Sequence, residues 1–234
     1  MNNAELRIKA LAKVKDKNFS VLSSVAYAIA AVSLLLGDIT GILAIDALIM
    51  LAAGFLAGLV SAAGYAKVSM GIWMMNKGGF SELFSCYKSK EALKRGALPA
   101  GAYALMLTVL RLGVLSGVWY AAVISGLVCI ALQIIAFWGG YVIAIEEKNC
   151  PVKAFVSGLK LAVNNIVRVI GMKLYLYWWI AAVIAAAAAL CINYALPGAF
   201  TGLVVFLVGL VCRWMVGAFI ALAEAGLARE AYRK

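Results

Sequence analysis

The sequence predicts an all-α polytopic bundle of about six transmembrane helices, paired as three hairpins, with basic amphipathic cytosolic helices between them. Three observations predict it. First, 66% of the 234 residues are apolar and only 13% are charged, whereas soluble domains are about half apolar and about a quarter charged. Such a chain has too little polar surface for a soluble globule, and too many apolar residues for disorder. Second, the apolar residues fall in runs close to the roughly 20 residues that cross a hydrocarbon core. Third, Lys and Arg gather in alternate connections, as they do on the cytosolic side of a membrane.

The elements follow in order. Residues 1–18 form a basic amphipathic N-terminal segment, with Ala4, Ile8 and Leu11 set against Arg7, Lys9, Lys13 and Lys17. The first span covers 19–36. It is longer than the apolar region of a signal peptide, carries Ser20, Ser23 and Ser24 in its first half, and reads as retained. Residues 39–75 are too long for one perpendicular span and too short for two. The reading is one tilted helix over 47–75, or a helix with a re-entrant piece. The remaining spans are 98–115, 119–145, 169–194 and 200–223, the last pair joined through Leu196-Pro197-Gly198.

Two further amphipathic segments cover 76–97 and 146–168, and 229–234 reads as a basic tail. In 151–168, Val152, Phe155, Leu159, Ala162, Val163 and Ile166 recur at helical spacing, opposite Lys153, Ser157, Lys160 and Asn164. Pro151 suits a first helical turn, and Asn164-Asn165 suits a helix end. Phe80, Leu83, Phe84 and Tyr87 make a shorter stripe of the same kind. Beside a span, such helices favour the anionic inner leaflet. The segments 15–21 and 162–169 are faintly alike where a span begins, as in a repeat of one amphipathic helix and two spans.

The net charge of +11 would point to nucleic acid in a soluble protein. Here its placement excludes that partner. All of the 21 basic residues except Arg111 and Arg213 lie in residues 1–18, in or beside 76–97, in 146–173 or in the tail. Both termini are therefore expected in the cytosol, with the chain in the cell membrane. There is no His, which excludes His-ligated zinc and His-based catalysis. The five cysteines form no CxxC pair. No HExxH or GxSxG motif occurs, so no enzyme, metal or cofactor is expected.

Few residues are candidates for a site. Arg213 lies near the middle of the last span, where a charge costs about 2.5–3.5 kcal/mol and normally faces the bundle interior. Gln133 lies at similar depth, and its carbonyl is able to accept from a guanidinium. The two read as an internal polar site for an anionic group, or as a structural lock. Asp46 and Arg111 sit near the outer ends of their spans and read as an ion pair. Glu224 has Lys67 and Lys173 as candidate partners. Gly54-x-x-x-Gly58 and the Ala-rich run in 181–189 give small-residue faces for close helix packing or a homo-oligomer. Trp73, Trp119, Trp138, Trp178, Trp179 and Tyr175 lie near span ends, as interfacial aromatic belts do.

Four stretches carry a family resemblance. They are Leu6-Arg7-Ile8-Lys9-Ala10-Leu11 with Lys17-Asn18-Phe19, and Gly79-Phe80-Ser81-Glu82-Leu83-Phe84 with Ala92-Leu93. The third is Ser157 and Lys160 leading to Lys173-Leu174-Tyr175-Leu176-Tyr177-Trp178-Trp179. The fourth is Ala221-Leu222-Ala223-Glu224-Ala225 followed by Ala228-Arg229-Glu230-Ala231-Tyr232. In order and spacing the chain resembles a family of bacterial six-span membrane proteins called domain of unknown function nine hundred and seventy-five. The family pattern has Ile-Pro-Gly where this chain has Trp138-Gly139-Gly140. The resemblance implies six spans and assigns no reaction and no site residue.

Two function classes follow. One is a non-enzymatic envelope scaffold or modulator, since the spans are nearly all apolar and the outer loops very short. The other is a small transporter or exporter of peptides, lipids or amphipathic compounds, working through Arg213 and Gln133. Anionic inner-leaflet lipids are the expected partners, and the sequence points to no protein partner.

Overall fold

The computed structural model describes residues 2–15, 19–35, 40–75, 77–115, 119–173, 183, 186–187, 190 and 198–233. Every regular element among them is helical. In chain order these are α1 (Asn3–Lys15), α2 (Phe19–Leu35), α3 (Leu43–Met75), α4 (Phe80–Leu83), a 3₁₀ turn (Ser85–Tyr87) and α5 (Lys90–Leu115). Then come α6 (Trp119–Ile145), α7 (Pro151–Asn164), α8 (Ile166–Lys173), α9 (Gly198–Cys212) and α10 (Ala218–Arg233).

Three helices are long and apolar enough to cross a membrane, within α3, α5 and α6. Two bent pairs raise the number to five if each is one span: α1 with α2, bent by 95°, and α7 with α8, bent by 80°. The sequence predicts six. Most of its fifth span, 169–194, lies outside the described residues, as do Leu196 and Pro197. Residues 200–223, its sixth span, fall in α9, a π turn (Arg213–Gly217) and the first part of α10, a stretch that is not among these candidates.

The helix bounds have local causes. Asp46 accepts hydrogen bonds from Thr40 N (2.9 Å), Thr40 Oγ1 (2.8 Å) and Gly41 N (3.0 Å). That holds the preceding turn and starts α3 at Leu43, upstream of the expected 47. A carboxylate in the first turn also suits the positive end of the helix dipole. From there α3 runs on to Met75, interrupted only by a π turn at Leu59–Gly64. Ser61, in that turn, donates to the Ala26 carbonyl at 2.7 Å, which ties it to α2.

Ser89 caps α5 by accepting Ala92 N at 3.1 Å. The helix therefore begins at Lys90, well before the expected 98, and Pro99 lies inside it. Both bounds of α6 match the predicted span 119–145. The turn at Asn165 ends α7, as the Asn pair predicts, and the chain restarts as α8 in a new direction. The expected basic tail is helical through Arg233.

Lipid offers no hydrophobic drive between spans, so close van der Waals fit must supply it. Gly54 and Gly58 meet Ala104 and Ala100 of α5; a Cβ on Gly58 would stand 2.9 Å from the Ala100 Cα. The small-residue face of α3 is thus taken up inside the chain. At the centre, Tyr65 stacks on Phe19 at 5.1 Å, and Phe137 sets its edge against Tyr65 (6.4 Å) and Tyr103 (6.3 Å). These aromatic contacts join α2, α3, α5 and α6, each adding about 0.5–1.5 kcal/mol. Tyr65 and Tyr141 hydroxyls donate to the Gly217 and Ala221 carbonyls at 3.4 and 3.3 Å, fastening α10 to the same core.

Trp138 corrects the aromatic-belt reading. It is fully buried in the main apolar cluster, and α7 packs across its backbone: Gly158 lies so close that a Cβ there would come within 2.6 Å of the Trp138 carbonyl oxygen. Trp73 is half-buried over Gly226, with the Lys13 ammonium 5.9 Å from its ring. Trp119, Trp178, Trp179 and Tyr175 have side chains outside those described.

Candidate functional site

Among the described residues, charged groups gather in three places of interest. The first lies inside the bundle. Lys173 at the end of α8 meets Glu224 of α10 at 2.7 Å, with side chains only 6% and 4% exposed. The same ammonium donates to Gln133 Oε1 of α6 at 3.4 Å. Three helices are therefore joined by one charge-neutral cluster. Of the two partners the sequence allowed Glu224, the structure selects Lys173. Lys67 instead reaches Glu147 at 3.7 Å near the surface.

Gln133 accepts from Lys173, a residue grouped by sequence with the basic loop charges. Arg213 opens the second π turn, and its side chain lies outside those described. The missed signal is positional: Lys173 falls within the predicted span 169–194, where a cation must find a partner.

The second place holds Asp46 and Arg111, which line one small cavity together with Thr108. Its volume is about 10 Å³, room for no more than about one water. Asp46 is buried and committed to the Thr40–Gly41 turn. The structure brings the two predicted residues together, in a setting that shapes a helix start and leaves no space for a ligand.

The third place is the basic end of the bundle. There α1 packs along α10, burying Leu6 and Ala10. Arg168 of α8 donates to Asn3 Oδ1 at 3.3 Å and pairs with Glu230 at 3.3 Å, so one guanidinium clasps α1, α8 and α10. Away from these contacts, α1 leaves Ile8 and Leu11 exposed, and α7 leaves Val152, Val156 and Val163 exposed. On α7 the protein face is Ala154, Gly158 and Ala162. At 100° per residue the three valines form a separate stripe, lying between that face and Lys153 with Lys160.

A cavity of about 290 Å³ opens at this end. It lies between α3, the 3₁₀ turn, the first turns of α5 and the end of α6. Lys67, Glu91, Arg95 and Glu147 line it, and Arg95 Nη1 donates to the Glu146 carbonyl at 3.4 Å. Cys86, on its wall, is buried, and burial pushes its thiol above the ordinary value. Cys150 is the opposite case. It is exposed before α7, and the backbone N–H groups of Val152 and Lys153 hold its thiol below the ordinary value, with Lys153 and Arg95 adding positive charge. Among the described residues no group of three metal-ligating side chains occurs.

No protein-family model, curated protein or solved structure matches the chain. The reading of the site rests on its own geometry.

Proposed function

We propose that the chain is a non-enzymatic scaffold or modulator of the cell membrane, with six spans, cytosolic termini and its basic end on the anionic inner leaflet. The observation that carries it is the setting of α1 and α7. Each turns by 95° or 80° into the helix that follows, and each leaves an apolar stripe uncovered beside lysines. A helix across the span direction, with valines or Ile and Leu exposed and lysines at its flank, suits the headgroup boundary. The Lys173–Glu224–Gln133 cluster supports the structural half of the reading, since its charges answer one another. The four family-like stretches, with their six-span pattern, support the same topology.

Vesicle flotation tests the leaflet contact. The purified protein in detergent, or α7 as a peptide, is expected to bind anionic vesicles and to lose binding with Val156→Glu plus Val163→Glu. Equal binding to zwitterionic vesicles would overturn it. Topology is tested separately: an alkaline phosphatase fusion after Pro197 is expected to be active and one after Pro151 inactive.

A second reading, a small exporter, draws on the two π turns. They sit within α3 and between α9 and α10, and the Tyr65 hydroxyl bridges toward the second through Gly217. Such turns often mark functional sites. Native mass spectrometry from its own membrane discriminates. A discrete peptide or small molecule, lost in Arg213→Gln, favours export; a stoichiometric protein partner favours the scaffold.

A further inference from the structure

We infer that the cavity at the head of α5 binds a phosphate–ammonium zwitterion, the chemistry of an ethanolamine phospholipid headgroup. The inference rests on the membrane placement proposed above. Its walls carry two cations, Lys67 and Arg95, and two carboxylates, Glu91 and Glu147. They come from α3, α5 and the residues just past α6, so folding alone brings them together. The lining has no net charge. A simple anion there meets two carboxylates and a simple cation meets two basic groups, so neither gains much. A zwitterion satisfies both signs at once.

The details match that ligand. Arg95 offers a planar fork suited to a phosphodiester. The capped start of α5, beside Ser89, adds a positive helix end on the same wall. Ala63, Ala92 and Gly140 keep the walls small, and about 290 Å³ is near the lower end of ligand cavities. Phe84 and Tyr87, flanking Ser85 and Cys86 of the cavity wall, expose their rings beside Ile29 and Val32 of α2, and the Tyr87 hydroxyl donates to the Leu56 carbonyl of α3 at 2.6 Å, so the wall adjoins the apolar faces of two helices. That favours a lipid over a soluble source.

The test uses the full chain in nanodiscs of equal phosphatidylethanolamine and phosphatidylglycerol, read by native mass spectrometry. Phosphatidylethanolamine is expected to be retained about tenfold over its bulk ratio, the effect of one charge-assisted contact. Arg95→Gln, which removes the fork, and Ala92→Leu, which fills the cavity, are each expected to return the ratio to bulk. Ser24→Ala on α2, away from the cavity, is expected to leave it unchanged. If Arg95→Gln fails to fold, Glu91→Gln takes its place. In a parallel arm, O-phosphoethanolamine and inorganic phosphate are added to protein in detergent and Tm is followed. Stabilisation by the former alone, absent in Ala92→Leu and without lipid enrichment, assigns the same chemistry to a soluble ligand. Preference for phosphatidylglycerol, enrichment that survives Ala92→Leu, or no effect in either arm overturns the inference. Enrichment together with inverted fusion activities would leave the site standing and refute only the placement.

Discussion

Lys173–Glu224 and Lys67–Glu147 are the same chemical pair in two settings. The first is 2.7 Å long with side chains 6% and 4% exposed; the second is 3.7 Å long with 46% and 68% exposed. The inner pair lies among apolar side chains and is tied to Gln133, so each charge depends on the other. The outer pair is exposed and edges a cavity. The difference teaches that pairing in this chain has two uses. Where water is excluded, the pair sets which helices meet and in what register. Where water reaches, it contributes little to folding and leaves its charges available to a ligand.

The sharpest way to break that contrast is to remove one inner partner. Lys173→Ala or Glu224→Ala is expected to cost about 3–5 kcal/mol, because the remaining charge is buried alone. Thermal unfolding in detergent reads this. Lys173→Met combined with Glu224→Leu is expected to recover most of the loss. A double variant as weak as the singles would refute the lock. Next in size is Gly158→Ala. Its Cβ meets the Trp138 carbonyl oxygen at 2.6 Å, and backbone cannot yield as a side chain does. A loss of about 1–3 kcal/mol is expected, with faster proteolysis around 148–150 as α7 lifts from α6.

Lys67→Gln sharpens the comparison from the other side. It is expected to cost less than about 1 kcal/mol and to shrink further in high salt; a loss comparable to that of Lys173→Ala would erase the distinction. The smallest effect on stability is expected from thiol chemistry, which reads the same contrast in setting. Cys150 has a lowered pKa, so more of it is thiolate at neutral pH than of an ordinary thiol. Cys86 has a raised pKa and is buried. Maleimide should modify Cys150 first, its rate rising with pH and levelling off below the pH where an ordinary thiol does. Equal rates for the two would count against the assigned environments.

Several elements were legible because their signals are local. The α6 bounds follow from an uninterrupted apolar run, and α7 is marked at one end by Pro151 and at the other by Asn164-Asn165. The start of α5 was not legible in the same way. Lys90, Glu91, Lys94 and Arg95 look like a solvated linker, although Ser89 with Glu91 in the first turn is a capping signal. Trp138 misled for a related reason. Its position near a span end suits a belt, and only its place in the main apolar cluster, which several helices build, buries it.

The candidate site divides along the same line. Gln133 and Glu224 stand out in sequence as polar residues in apolar runs, and Asp46 with Arg111 as charges near span ends. Lys173 was legible only as one of two candidate partners for Glu224, because it follows a basic segment that also offers cations. The cavity had no sequence signature at all. Its four charged residues are spread from 67 to 147, over α3, α5 and the residues just past α6.

By itself, the sequence determined that the chain is helical and carries helices long and apolar enough to cross a membrane. Composition and run length decide both, since in lipid a backbone must satisfy its own hydrogen bonds within the segment. It also determined the amphipathic character of α7. The tertiary structure decided which charge answers which, which aromatic is buried, and where a polar cavity opens. Those depend on close approach between residues far apart in the chain, and helical periodicity encodes the face a helix presents but not the neighbour that face will meet.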